Sequence, residues 1–127
     1  PGSCGCLSFE ATDFLVHRRQ LDANSHLILW QVGVIGALDH PTGHNNKPGV
    51  EVLRHYLNLY YHPTHEVILY EAAQYPHFEP NIVKLPLDEL PSINISRIAT
   101  LYVPPAYQAP CDKEMLLKLG INIANLK

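Results

Sequence analysis

The feature that most limits the fold is a change of hydrophobic period near the middle of the chain. From residue 47 or 48 to residue 61, Val50, Leu53, Leu57 and Tyr60 recur at steps of three and four, the period of one helical face. After Pro63 that period stops, and the run Glu66–Glu71, EVILYE, is too short for a helix of ordinary length. Its centre is continuously apolar, which predicts a strand covered on both faces. A helix leading directly into an interior strand is the repeating unit of an α/β chain.

The remaining segments extend this pattern. HLILW opens a strand expected over residues 26–31, and ISRIATLYVPP holds another over 98–103, stopped by Pro104 and Pro105, which cannot donate to a sheet ladder. Residues 81–85 read as a further strand and 86–90 as a short helical turn with Asp88 and Glu89 near its start. A first helix is expected from residue 8 or 12 to 19, capped by a hydroxyl, with Phe14, Leu15 and Leu21 on its buried side. Residues 22–25 form a turn, and residues 37–48, rich in proline and asparagine, form an exposed loop. Asp112 caps a last helix containing Met115, Leu116 and Leu119, and Gly120 stops it. The expected fold is therefore α/β, a single domain with a mixed four- to five-stranded sheet flanked by helices.

Composition narrows the function classes. The chain has 127 residues, the length of one domain, and scattered charge amounting to −3 from 12 acidic and 9 basic side chains. No basic run exceeds Arg18-Arg19, so binding to a nucleic-acid backbone is not expected. Apolar runs such as 26–35 are broken by Gln31 and Gly33 well before a bilayer is spanned, so no membrane segment is expected. Cys4, Cys6 and Cys111 are odd in number, and Cys4 and Cys6 are separated by one glycine. That arrangement suits a reducing, cytoplasmic setting better than a disulfide framework.

Eight histidines raise the question of a metal. The pairs His40/His44 and His62/His65 each enclose a proline, which opposes the helical spacing that aims two imidazoles at one ion, so no metal site is expected. The chain has neither a Gly-x-Ser-x-Gly elbow nor a glycine-rich phosphate cradle. Glu71, at a strand end, suits either a general base or a structural hydrogen bond. Gly33-Val-Ile-Gly36 fits either a tight turn or a place where backbone approaches a ligand. Ligands in open α/β sheets favour strand ends, which directs attention to Gln31, Ala72-Ala73 and Ala99-Thr100.

Three segments, LILWQVGVIG, HPTHEVILYEAAQYP and RIATLYVPP, resemble in order and spacing the C-terminal half of the tetrapyrrole (corrin/porphyrin) methylase superfamily. The subgroup most resembled includes stand-alone methylases and borosin-type peptide backbone N-methyltransferases. The opening SFEATDFLVHRRQLD resembles the start of that half, so the likeness covers nearly the whole chain. It implies the fold of the family's second domain and S-adenosylmethionine as cofactor, bound in a cleft between two α/β domains. By motif position Gln31, Val32, Glu71, Ala72, Ala73, Ala99, Thr100 and Leu101 would line the adenosine pocket. The family's N-terminal domain is absent from these residues, so the expected partner is that domain or a second copy in a homodimer. Weak or no methyl transfer by the 127 residues alone is expected. A non-catalytic ligand-binding or interaction module on the same scaffold is the competing expectation.

Overall fold

The computed structural model describes residues 5–36, 47–73, 76, 78–107 and 111–121. Five strands form one mixed sheet: β1 (Cys6–Glu10), β2 (His26–Trp30), β3 (Glu66–Glu71), β4 (Asn81–Pro86) and β5 (Thr100–Val103), in the spatial order β1-β2-β5-β3-β4. The helices are α1 (Ala11–Val16), α2 (Lys47–Leu57) and α3 (Lys113–Leu119), with 3-10 turns at Val32–Val34 and Leu87–Ser92. This is the expected α/β architecture with a five-stranded mixed sheet.

Strand order and direction bring three strand ends together. β1 and β2 are parallel, whereas β5 is antiparallel to both β2 and β3. β2 and β3 therefore point the same way, with β5 between them. Trp30 and Tyr70 both pair with Thr100, so the ends of β2 and β3 and the start of β5 lie side by side.

One face of the sheet carries the core. Leu27 and Leu29 from β2, Leu101 and Val103 from β5, Val67 and Leu69 from β3 and Leu85 from β4 share a cluster with Phe14 of α1 and with Val50, Leu53 and Leu57 of α2. The alternation of these residues is the period of a half-buried strand. It corrects the expectation that Glu66–Glu71 is covered on both faces. Val67 and Leu69 are buried, but Tyr70 is exposed, as are Trp30 and Ile82.

The N-terminal segment also departs from expectation. Residues 6–10 extend the sheet as an edge strand in register with β2, Leu7 beside Leu27 and Phe9 beside Leu29. The helix is confined to Ala11–Val16, and its cap is a carboxylate rather than a hydroxyl. Glu10 Oε1 accepts from Thr12 N at 3.0 Å and Oε2 from Asp13 N at 2.9 Å. Two otherwise unpaired helix donors are thereby satisfied by one side chain that also ends the strand.

α2 ends at Leu57, earlier than its apolar period suggests, and the chain continues in hydrogen-bonded turns to Tyr61. The phase of the helix changes there. Tyr61 enters the core and Tyr60 is left 40% exposed. The ends of α3 follow the sequence closely: Asp112 Oδ1 accepts from Glu114 N and Met115 N, and Gly120 closes the helix at φ +70°. α3 buries none of its residues.

Candidate functional site

The site grows from what happens after β2. Gln31 adopts the left-handed backbone region, φ 57° and ψ 38°, a conformation that costs a non-glycine residue about 1–2 kcal/mol. The bend turns the chain off the sheet and into the 3-10 turn, so Val32 drops into the core at 1% exposure while Gln31 faces solvent. Val32 N donates to Ala99 O at 3.4 Å, which ties the end of β2 to the approach to β5.

The next residue shows why glycine is needed. A Cβ on Gly33 would stand 2.0 Å from Ser96 O, so residues 95–96 run directly against the 3-10 turn. Of the two readings open to Gly33, the close approach is made, but by chain rather than by ligand. Gly36 has φ +77° and open space around it, which is the turn reading. On the other side of the same loop, Glu71 Oε1 accepts from Ser96 N at 3.4 Å. Glu71 thus serves as a structural acceptor, and Ser96 joins the ends of β2 and β3.

Beyond Glu71 a cleft of about 310 Å³ opens, lined by Glu71, Ala72, Ala73, Phe78, Glu79, Asn81 and Ile98. That volume lies at the lower end of small-molecule sites. Ladder geometry explains the lining. Asn81 pairs with Glu71 on the β4 side, and continuing the β3–β5 register beyond Tyr70–Thr100 sets Ile98 opposite Ala72 on the other. Ala72 and Ala73 form a low floor between these walls. Phe78 is 67% exposed and Ile98 44% exposed, so both offer apolar surface at the opening. Among the described residues of the lining, the charged groups are the carboxylates of Glu71 and Glu79.

Of the eight residues expected around a ligand, Glu71, Ala72 and Ala73 line this cleft. Gln31 and Thr100 stand at the same end of the sheet outside its lining, and the side chains of Val32, Ala99 and Leu101 are in the core. Phe78, Glu79, Asn81 and Ile98, which complete the lining, were not among the expected residues. The sequence carried one signal for them, an aromatic-acidic pair set among prolines and histidine in YPHFEP, where no core position accounts for a phenylalanine.

The second histidine pair has local partners. His62 Nδ1 is 2.7 Å from Thr64 Oγ1, while His65 stacks on Tyr61 and has Nε2 2.8 Å from Pro104 O. His40 and His44 lie outside the described residues. Among the described residues no group of three or more His, Cys, Asp or Glu side chains is placed to hold a metal ion. Nor is any described helix long and apolar enough to cross a membrane.

Comparison with known proteins gives a consistent pattern. No protein-family model matches the sequence. A methyltransferase/ribosomally synthesized type III borosin cyclic peptide precursor from Anomoporia bombycina is 39% identical over 131 residues, a match that takes in 100% of this chain and 15% of that protein. A type I borosin precursor from Coprinopsis marcescibilis is 37% identical over 132 residues, covering 99% of this chain and 33% of the relative. The chain thus spans about a third or less of the length of these relatives. Among solved structures, the methyltransferase CobJ aligns with a TM-score of 0.51 at 12% identity over 87% of this chain and 44% of that one. It shares the fold.

Proposed function

We propose, from the premise that this chain is homologous to a segment of the borosin methyltransferase precursors, that it is the S-adenosylmethionine-binding part of a methyltransferase. The observation that carries the reading is the cleft at the end of β3, where an alanine floor, apolar walls and two carboxylates stand together. These residues fit a nucleoside. Small side chains leave room for a flat ring, Phe78 and Ile98 cover its apolar faces, and carboxylates accept hydrogen bonds from ribose hydroxyls.

Bound S-adenosylmethionine supplies a methyl group activated by a positively charged sulfur. The residues of this chain hold and orient the nucleoside end, and alignment rather than acid–base chemistry carries much of such a displacement. Gln31 and Thr100 are at the same sheet end, close enough in the strand order to bound the cofactor where it leaves the cleft. The family's N-terminal domain supplies the opposing wall and selects the acceptor.

Calorimetric titration with S-adenosylmethionine and S-adenosylhomocysteine tests the reading. Binding by this chain, alone or once an N-terminal methylase domain is supplied, supports it. Absence of binding by both forms overturns it.

A further inference from the structure

We infer that two copies of this chain associate by exchanging α3, the helix of each copy docking on the sheet face that the other leaves uncovered. The inference goes beyond the cofactor reading and does not depend on it. Two apolar surfaces carry it, and the first is the sheet face opposite the core. Leu27 and Leu29 of β2 and Val67 and Leu69 of β3 point into the core, so alternation sets Ile28, Trp30, Ile68 and Tyr70 on the other face. Trp30 and Tyr70 flank Thr100 in register, and Ile82 of β4 pairs with Tyr70, which makes the patch continuous across neighbouring strands. Ser8, Glu66 and Lys84 stand at its rim by the same registers. Both α1 and α2 pack on the core face, and Trp30, Tyr70 and Ile82 are left 47%, 41% and 56% exposed. A contiguous apolar patch with a polar rim marks a surface that takes a partner.

The second surface is α3 itself. Met115, Leu116 and Leu119 share one side of the helix by spacing, Glu114 and Lys118 the other, and the Gly120 turn brings Ile121 back to the helix, with Ile121 N donating to Leu116 O at 2.9 Å. An isolated helix shorter than about 12–15 residues is marginal in water. α3 has seven, is capped at both ends, and buries none of them, with Leu119 64% exposed. Its own uncovered sheet face is not where the chain leads. His65 Nε2 lies 2.8 Å from Pro104 O, Ala106 N donates to Ala23 O at 2.8 Å, and Ala106 packs against the core, so the chain leaves β5 on the helix-covered side. A second copy supplies both the missing helix and the missing face. Area decides for exchange in both directions: each surface offers roughly 300–400 Å² of apolar area, so one docked helix buries about 600–800 Å² and two bury about 1,200–1,600 Å², the size of a stable specific interface. A two-fold axis closes such a pair without leaving either surface open.

Sedimentation velocity over a range of micromolar concentrations tests the exchange on this chain. A concentration-dependent dimer is expected, and Leu119→Glu on α3 and Ile82→Glu on the sheet face should each weaken it at least tenfold. Mixing the two variants distinguishes exchange from other interfaces. The Leu119→Glu copy keeps an intact face and the Ile82→Glu copy an intact helix, so the mixture should form a heterodimer through one undamaged contact, tighter than either variant with itself. A monomer at every concentration, as docking of α3 within its own chain would give, overturns the inference. So does a dimer that Leu119→Glu leaves unchanged, as sheet-to-sheet packing would give, or a mixture no tighter than its components. Both substituted residues are exposed, and circular dichroism confirms that each variant folds; if a glutamate variant does not, Leu119→Ala and Ile82→Ala carry the same comparison.

Discussion

The carbonyl oxygen of Ser96 occupies the space beside Gly33 that any side chain would need, 2.0 Å from the ideal Cβ position. Because the same Ser96 donates its N–H to Glu71, one residue joins the turn after β2 to the end of β3. The cleft's position depends on that junction.

Replacement of Gly33 by alanine should therefore force backbone apart rather than rotate a side chain. The expected cost is about 1–3 kcal/mol of stability, in the range of overpacked interiors. Urea denaturation of the variant should show a lower midpoint with little change in slope. An unchanged midpoint would mean that the 95–96 segment can retreat from the turn.

Ala73 lines the cleft and is exposed, so a larger side chain there fills the proposed slot without entering the core. Ala73→Trp should lower affinity for S-adenosylhomocysteine at least tenfold, about 1.4 kcal/mol, while the thermal midpoint stays within a degree or two of the parent. Calorimetry on the same preparation reads both quantities. Unaltered affinity would remove Ala73 from the site.

Tyr61 is 2% exposed, and its hydroxyl has no hydrogen-bond partner among the described residues. Burial pushes its pKa up from 10.0 to about 12, with the negative charge of Asp22 acting in the same direction. The folded state then holds this proton more tightly than the unfolded state. Its contribution is complete below pH 10 and is lost as pH rises through the folded value, with a slope approaching 1.4 kcal/mol per pH unit between the two. Tyr61→Phe should flatten the alkaline limb of the stability profile. At neutral pH it should be neutral or stabilising by up to about 1 kcal/mol, because a buried donor without a partner is removed. Denaturation midpoints from pH 7 to 11 check both signs.

Glu10→Ala removes both acceptors at the start of α1. The expected loss is about 0.5–2 kcal/mol, the range for an N-cap, and Glu10→Asp should recover most of it, because Asp112 meets the two equivalent donors at the start of α3. Circular dichroism during thermal unfolding measures the series. Equal stability of all three proteins would show that the cap is dispensable.

Much of the element order is legible in the residues themselves. EVILYE, the period of Val50, Leu53 and Leu57, and the Asp112 and Gly120 caps each correspond to the element seen. The first strand was not legible, because CLSFE is short and passes without a break into the apolar positions of α1, while its capping residue is a glutamate that also closes the strand. Tyr60 was mistaken for the buried tyrosine for a related reason. A helical period extrapolates only while the helix continues, and this one ends at Leu57.

The resemblance to methyltransferases and the choice of sheet end were also available from the sequence, since both rest on motifs and on strand boundaries that are local. What each of those strand-end residues does was decided only in the folded chain. The order β1-β2-β5-β3-β4 brings Thr100 between Trp30 and Tyr70, turns Val32, Ala99 and Leu101 inward, and sets Ile98 opposite Ala72 at the cleft. Local periodicity specifies which face of a strand is apolar. Which strands become neighbours, and which loop comes to rest against Gly33, follows from pairing and packing between residues far apart in the chain, and those contacts leave no local pattern.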